Sequence, residues 1–406
     1  MYKKFILTTL TMLMILSTSC NGDGSDIEEV STMNSAETIE NNIDTFDYSS
    51  LARLCSQENL SEDIKSVEWS SDMVFTNIES TKEYLTECIL NCQEVIGIIV
   101  PYGCEIIEKD YYKNIGGIWH MSGTQMSISN GVQSATFIVF NPKYTTGKLV
   151  YNAYKLNDTS KLNDTQLQVY NMAKHYIENI LDTSKTTLEQ EKQIYDYICN
   201  ITTYYNSSNV SNNDYVNYKS ATGVFIDGLA NCMGYSDAFY MLCSMAGMEV
   251  ITTTENTMNH CWNVITLDDK KYLVDLTYAD TIYEDLNIIS YEYFNVPLEA
   301  VSQQYSISEG SVTSKITEKF DSNSYFLAKE FNLNYATKDN IYYKILSSIE
   351  KGEHNVEILC MGELSTYNEL EFSKQLVDMS SNSLSIDTLY CSIHQFDGFS
   401  YVLIHL

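Results

Sequence analysis

The sequence predicts an α+β protein with a cysteine-bearing helix and a strand hairpin after it, flanked by smaller α+β regions. Three observations predict it. Residues 228–247, "GLANCMGYSDAFYMLCSMAG", carry an apolar stripe of helical period. Residues 259–280, "NHCWNVITLDDKKYLVDLTYAD", alternate like strands on both sides of a polar turn. The flanking segments mix the two periods.

In chain order, residues 1–20 read as an export signal. "MYKK" is basic, "FILTTLTMLMIL" is apolar but too short to span a bilayer stably, and "STSC" closes on Cys20. This close resembles a bacterial lipoprotein signal. The resemblance implies a lipidated Cys20, an acyl anchor in the cell membrane and an outward-facing protein. Residues 21–65 follow as an acidic, disordered tether. Their first thirty hold eight acidic residues and no basic one, with too little apolar surface to order themselves.

Residues 66–155 read as an accessory α+β domain. "STKEYLTECILNCQEVIGIIV" has helical spacing and a β-branched finish, and "GGIWHMSGTQMSISNGVQSATFIVFNPKYTTGKLVYNAY" alternates around an Asn-Gly turn.

The central region spans 156–310. "NDTQLQVYNMAKHYIENIL" puts Leu167, Tyr170, Ala173, Tyr176 and Ile180 on one helical stripe, with His175 in a packing or surface role. "SKTTLEQEKQIYDYICN" starts a second helix with a capping pattern. Next, Tyr235, Ala238, Phe239, Leu242, Cys243 and Ala246 form the stripe of a third, ended by Gly247. Cys232 therefore falls at or just before its first turn. Free N–H groups and the positive dipole end gather there, and both favour a thiolate. Gly228 and Gly234 leave room for another segment to approach.

The hairpin after it supplies the base. With Asp268 and Asp269 as the turn, Leu267 faces Lys270, Trp262 faces Asp275 and His260 faces Thr277. His260 and Asp275 then share a face as diagonal neighbours, roughly 7–8 Å apart at the backbone, near enough for the side chains to meet. Cysteine, histidine and aspartate are the nucleophile, base and orienting acid of acyl transfer. Cys232 attacks an amide carbonyl, His260 holds the thiolate and protonates the leaving amine, and Asp275 fixes the ring. The N–H of Cys232 is the natural oxyanion donor.

These three segments resemble the signatures of the bacterial transglutaminase-like superfamily: cysteine before Gly-aromatic, His-x-Trp-Asn, and aspartate before x-Thr-aromatic. "EKQIYDYICNITTYY" and "YEYFNVPLEAVSQQYS" are similar to the segments flanking them. The likeness covers about 160–310. It implies a papain-like α+β core, with the cysteine's helix packed on an antiparallel sheet, Cys232, His260 and Asp275 as the catalytic triad, and Tyr204 assisting at the oxyanion site. Met233 departs from the family pattern, where a polar residue is common, and bears on substrate preference.

Residues 311–406 return to mixed α and β, with a hairpin at "DG" near the end. His394 and His405 alternate with apolar neighbours as half-buried strand residues, and His354 lies in a polar turn.

Composition excludes one class of partner. The net charge is −30 and Arg53 is the sole arginine, so nothing would neutralise phosphates and no nucleic acid is expected. No paired CxxC spacing suggests a structural zinc, and no cofactor or metal is expected. Cys243 and Cys261 read as small core residues, and no disulfide is assigned. Expected substrates are peptides or proteins at the cell surface. Peptidase or amidase action is favoured, with a transamidating cross-linker second. A non-catalytic binding or scaffold protein with a vestigial triad is the reading of another class.

Overall fold

The computed structural model describes residues 46–56, 60–105, 107, 115–205, 217–255, 259–281, 288–302, 304–305, 307, 309, 311–325, 332–333, 338–353, 355–361, 374, 390–396 and 399–405. The expected signal, Cys20 and His354 lie outside these residues. The chain divides into two compact units, Met1–Tyr112 with Ile118–Lys143, and Lys113–Gly117 with Tyr144–Leu406.

The first unit holds α1 (Tyr48–Ala52), α2 (Glu62–Ser66) and α3 (Ile78–Leu90), then β1 (Ile96–Pro101), β2 (Ile118–Ser129) and β3 (Ser134–Tyr144). The sheet order is β1-β3-β2. Asp47, Ser61 and Asn77 cap the three helices with their side chains. Residues 46–65 depart from the expected tether. Leu51 and Ile64 are fully buried with Ile99, Phe137 and Val139, so two well-placed apolar side chains seat short helices despite the acidic composition.

The second unit begins with α4 (Thr146–Leu156), which corrects the strand reading of "TTGKLVYNAY". Thr145 caps it, accepting the Lys148 N–H at 3.2 Å, and Val150 and Ala153 are buried at helical spacing. Asp237, far along the chain, also holds this helix start. Its Oδ2 accepts the N–H groups of Gly147 at 2.9 Å and Ala221 at 2.8 Å. A Cβ at residue 147 would lie 2.5 Å from Asp237 Oδ1, which explains the glycine. Burial raises the Asp237 carboxyl above the usual range, against the hydrogen bonds it accepts.

Next come α5 (Asp164–Asn179) and α6 (Thr187–Ile201), each opened by a capping box. Val169 and Ile177 join Tyr170, Ala173 and Tyr176 on the buried face of α5, while Leu167 and Ile180 are exposed. The core therefore takes a face turned slightly from the expected stripe. Glu191 of α6 is fully buried. Asn295 donates to its Oε2 at 2.7 Å, and burial pushes the carboxyl up to about 8.

Two short parallel strands, β4 (Thr203–Tyr204) and β5 (Leu229–Ala230), lead into α7 (Cys232–Met245), buried from Gly234 onward. Against α7 stands an antiparallel sheet in the order β6 (Glu249–Glu255), β7 (His260–Leu267), β8 (Lys270–Val274), β9 (Phe294–Val296). The register has Leu267 opposite Lys270 and Asn263 opposite Val274. Asp268 and Asp269 both take left-handed φ, 49° and 62°, as a two-residue type I′ turn requires.

The ladder ends at Asn263–Val274, three pairs short of the expected His260–Thr277 pairing, so Trp262 does not pair with Asp275 either. Strand β8 ends at Val274, and α8 (Leu276–Thr281) follows. Thr277 therefore does not face His260, which pairs instead with Glu255 of β6. The Asp275 carboxylate accepts the Thr277 N–H and so starts a helix where the strand would have continued.

After α9 (Leu298–Val301) comes a second sheet of β10 (Asn332–Leu333), β11 (Asn355–Met361), β12 (Tyr390–Phe396) and β13 (Phe399–His405), ordered β10-β11-β13-β12, with α10 spanning Lys338–Glu350. Phe396 pairs with Phe399, and the expected "DG" turn between them lies outside the described residues. Leu359, Tyr401 and Leu403 share one apolar core with Tyr235 and Trp262. Among the described residues, no helix is long and apolar enough to cross a membrane.

Candidate active site

Cys232 is the first residue of α7. Asn231 caps the helix, its Oδ1 accepting the N–H groups of Met233 at 3.1 Å and Gly234 at 3.3 Å. The Cys232 N–H, in the first turn, has no helical acceptor four residues back and is free to face an oxyanion. The loop before the helix passes very close. Asn231 N–H donates to the Tyr218 carbonyl at 3.0 Å, and a Cβ at residue 234 would fall inside 3.0 Å of that same oxygen. Gly234 thus marks a close approach, as its place beside Cys232 suggested. Gly228 takes a left-handed φ of 64°.

His260 opens β7, and its Nε2 meets Asp275 Oδ2 at 2.6 Å. Cys232 is near enough to act on the same ring. With Nε2 committed to the aspartate, Nδ1 is left for the thiol. Burial disfavours charge on the ring. The hydrogen bonds and negative charge of Asp275 and Cys232 outweigh it and push the His260 pKa up to about 10. The ring is thus held as an imidazolium beside the Cys232 sulfur.

Asp275 is 1% exposed and fully engaged. Oδ1 accepts the N–H groups of Thr277 at 3.0 Å and Tyr278 at 3.4 Å, and Oδ2 accepts the Tyr305 hydroxyl at 2.7 Å beside His260. Asn263 ties the strand to the helix. Its Nδ2 donates to the Ser236 carbonyl of α7 at 3.0 Å and to Thr252 Oγ1 of β6 at 3.2 Å. Aromatic rings wall the imidazole, with Tyr278 at 5.2 Å and Trp262 at 5.9 Å between centroids.

Tyr204 of β4 is half-buried. Burial raises its hydroxyl above the usual value, and the charges of Cys232 and Asp275 add to this. Its hydroxyl therefore stays protonated at neutral pH.

The remaining candidates lie elsewhere. His175 is exposed, with Asn179 at 3.3 Å from its Nδ1. His394 sits on buried Glu292 at 2.6 Å, and His405 on Asn355 at 2.6 Å. Cys243 and Cys261 are buried free thiols, both raised by desolvation. Among the described residues, no group of three His, Cys, Asp or Glu could hold a metal ion.

The sequence reading missed Tyr305, Tyr278 and Asn263. Asn263 and Tyr278 stand inside the quoted motifs. Tyr305 also stands in a quoted segment, "YEYFNVPLEAVSQQYS", but nothing there pairs it with Asp275, thirty residues before it.

Residues 174–274 match the family model described as the transglutaminase-like superfamily. The matched domain holds Cys232 and His260 and stops one residue before Asp275. No curated protein matches the chain. Two solved structures are similar to it. One is a TGase, at 15% identity over 69% of this chain and 78% of that one, with a TM-score of 0.27. The other is a candidate protease from Parabacteroides distasonis, at 9% identity over 77% of this chain and 66% of that one, with a TM-score of 0.19. At such scores neither adds to what the geometry of the transglutaminase-like domain already shows.

Proposed function

We propose that the transglutaminase-like domain cleaves amide bonds of peptides or proteins through a thioester on Cys232. The observation that carries this reading is the cluster in which His260 meets Asp275 at 2.6 Å and lies within reach of Cys232. The thiolate attacks the amide carbon. The C–N bond then breaks as His260 gives its proton to the departing amine. A water that loses a proton to His260 hydrolyses the thioester and returns the thiol. Hydrolysis makes the protein a peptidase or amidase, and an amine in place of water would make it a cross-linker. The charge of −30 favours neutral or cationic substrates. Export, a lipid anchor at Cys20 and a cell-surface substrate belong to the same proposal and rest on residues 1–20.

The test incubates the intact protein and Cys232→Ala with casein and a fluorescent primary amine. Shorter peptides indicate hydrolysis, and label joined to casein indicates transfer. Both should vanish in Cys232→Ala. Turnover surviving that change would end the proposal. So would Cys232 alkylation by iodoacetamide that tracks an ordinary thiol titration near about 8.5, which would favour a non-catalytic scaffold.

A further inference from the structure

Asp275 has more donors than are needed to orient one imidazole. Its Oδ1 is already fixed by two main-chain N–H groups, from Thr277 and Tyr278. Its Oδ2 is shared by His260 Nε2 at 2.6 Å and Tyr305 Oη at 2.7 Å. Tyr305 is 3% exposed and stands edge-on to Trp262, with centroids 4.8 Å apart. Burial and the charge of Asp275 hold its hydroxyl well above the ordinary phenol range, so the phenol is a donor and never an anion. Trp262 in turn lies beside the imidazole, so one aromatic cluster links Tyr305 to the ring it influences.

We propose that Tyr305 is a positioning residue that tempers the grip of Asp275 on His260, a role that rests on the acyl-transfer reading above. A second donor on Oδ2 draws electron density from the oxygen that faces the imidazolium. The shared oxygen then holds the ring's proton less tightly. The ring must stay protonated while the thiolate waits, yet protonate an amine as the C–N bond breaks. A carboxylate serving His260 alone would make the imidazolium a weaker acid and slow that step. The main-chain bonds to Oδ1 keep the carboxylate in place, so losing the phenol changes its basicity more than its direction.

Tyr305→Phe keeps the ring and its contact with Trp262 and deletes only the donor. The full chain, with labelled histidine rings, is titrated by NMR, and Cys232 alkylation by iodoacetamide is followed across the same pH range. In Tyr305→Phe the His260 pKa should rise by about half a unit or more. Alkylation at pH 6–7 should stay within about two-fold of the intact protein, and casein cleavage should fall about ten-fold. A purely structural tyrosine would leave the titration where it was. An unmoved or lowered His260 pKa therefore overturns the proposal. Should Tyr305→Phe melt early, 3-fluorotyrosine at the same position keeps the fold and makes a stronger donor. It should lower the His260 pKa, and no change there also overturns the proposal. An intact protein whose His260 titrates near about 6.5 and whose Cys232 alkylates like an ordinary thiol would instead sink the acyl-transfer reading itself.

Discussion

Gly234→Ala sets two local rules against each other. Alanine is the better helix former by about 1 kcal/mol, so propensity alone favours the substitution. Its Cβ, however, would fall inside 3.0 Å of the Tyr218 carbonyl oxygen, 2.9 Å from Ala230 Cβ and 3.2 Å from the Ser220 carbonyl. Backbone cannot rotate away as a flexible side chain does, and the Asn231–Tyr218 hydrogen bond pins the same loop. Relief needs a shift of roughly 0.5–1 Å between the loop and the first turn of α7. Overpacking of this kind costs about 1–3 kcal/mol. After the propensity gain the expected net loss is about 0–2 kcal/mol, a fall in melting temperature of up to about 8 °C. Cys232 rides on the displaced turn, and a misplacement near 1 Å can cost about 100-fold in rate. Calorimetry and the rate of iodoacetamide alkylation at pH 7 measure the two effects. A variant that melts at or above the parent and alkylates at the parent's rate would refute the close-approach reasoning.

Asp275→Asn removes the charge that holds His260 high and turns an amide N–H₂ toward donors. Turnover at pH 7 should fall by on the order of 10⁴-fold, as for orienting carboxylates of other triads, with kcat as the readout. The His260 pKa, up at about 10, lies above its unfolded value near 6.5. Its stabilisation is therefore present below pH 6.5 and lost as the pH rises through about 10. Chemical denaturation across that window should show a flatter profile in Asp275→Asn. Glu191→Gln should act with the same sign on a different range. The Glu191 carboxyl, pushed up to about 8 from 4.5, stabilises the fold below pH 4.5 and loses that contribution as the pH rises through about 8. The variant keeps the Asn295 bond and should be the more stable form at pH 8.5. At about 1.36 kcal/mol per pKa unit the gain is at most about 5 kcal/mol. Equal urea midpoints at pH 8.5 would count against it.

What could be read in the sequence was what short-range rules determine. The register of the β7–β8 hairpin follows from a side-chain period of two and a turn of two residues, and it brings His260 and Asp275 to one face. The helix of Cys232 follows from its stripe and from Gly247, which takes a φ of 85°. Long-range partners decided the rest. The helix α4 looked like a strand because its cap partner Asp237 lies 90 residues away from Gly147. The role of Tyr305 was missed for the same reason, as its segment was singled out but no spacing ties that tyrosine to an aspartate thirty residues before it. The short helices before residue 66 were misread because composition averages over the two apolar side chains that matter, Leu51 and Ile64.

Asp237 belongs to the helix that carries Cys232, yet its carboxylate closes hydrogen bonds on the start of α4 and on the backbone at Ala221. A slip in either neighbour is passed to the sulfur as a tilt of its own scaffold. Mutational drift in α4 would thus register as slower chemistry before it registered as a looser fold. Selection for turnover would guard the interior at no extra burden to the chain.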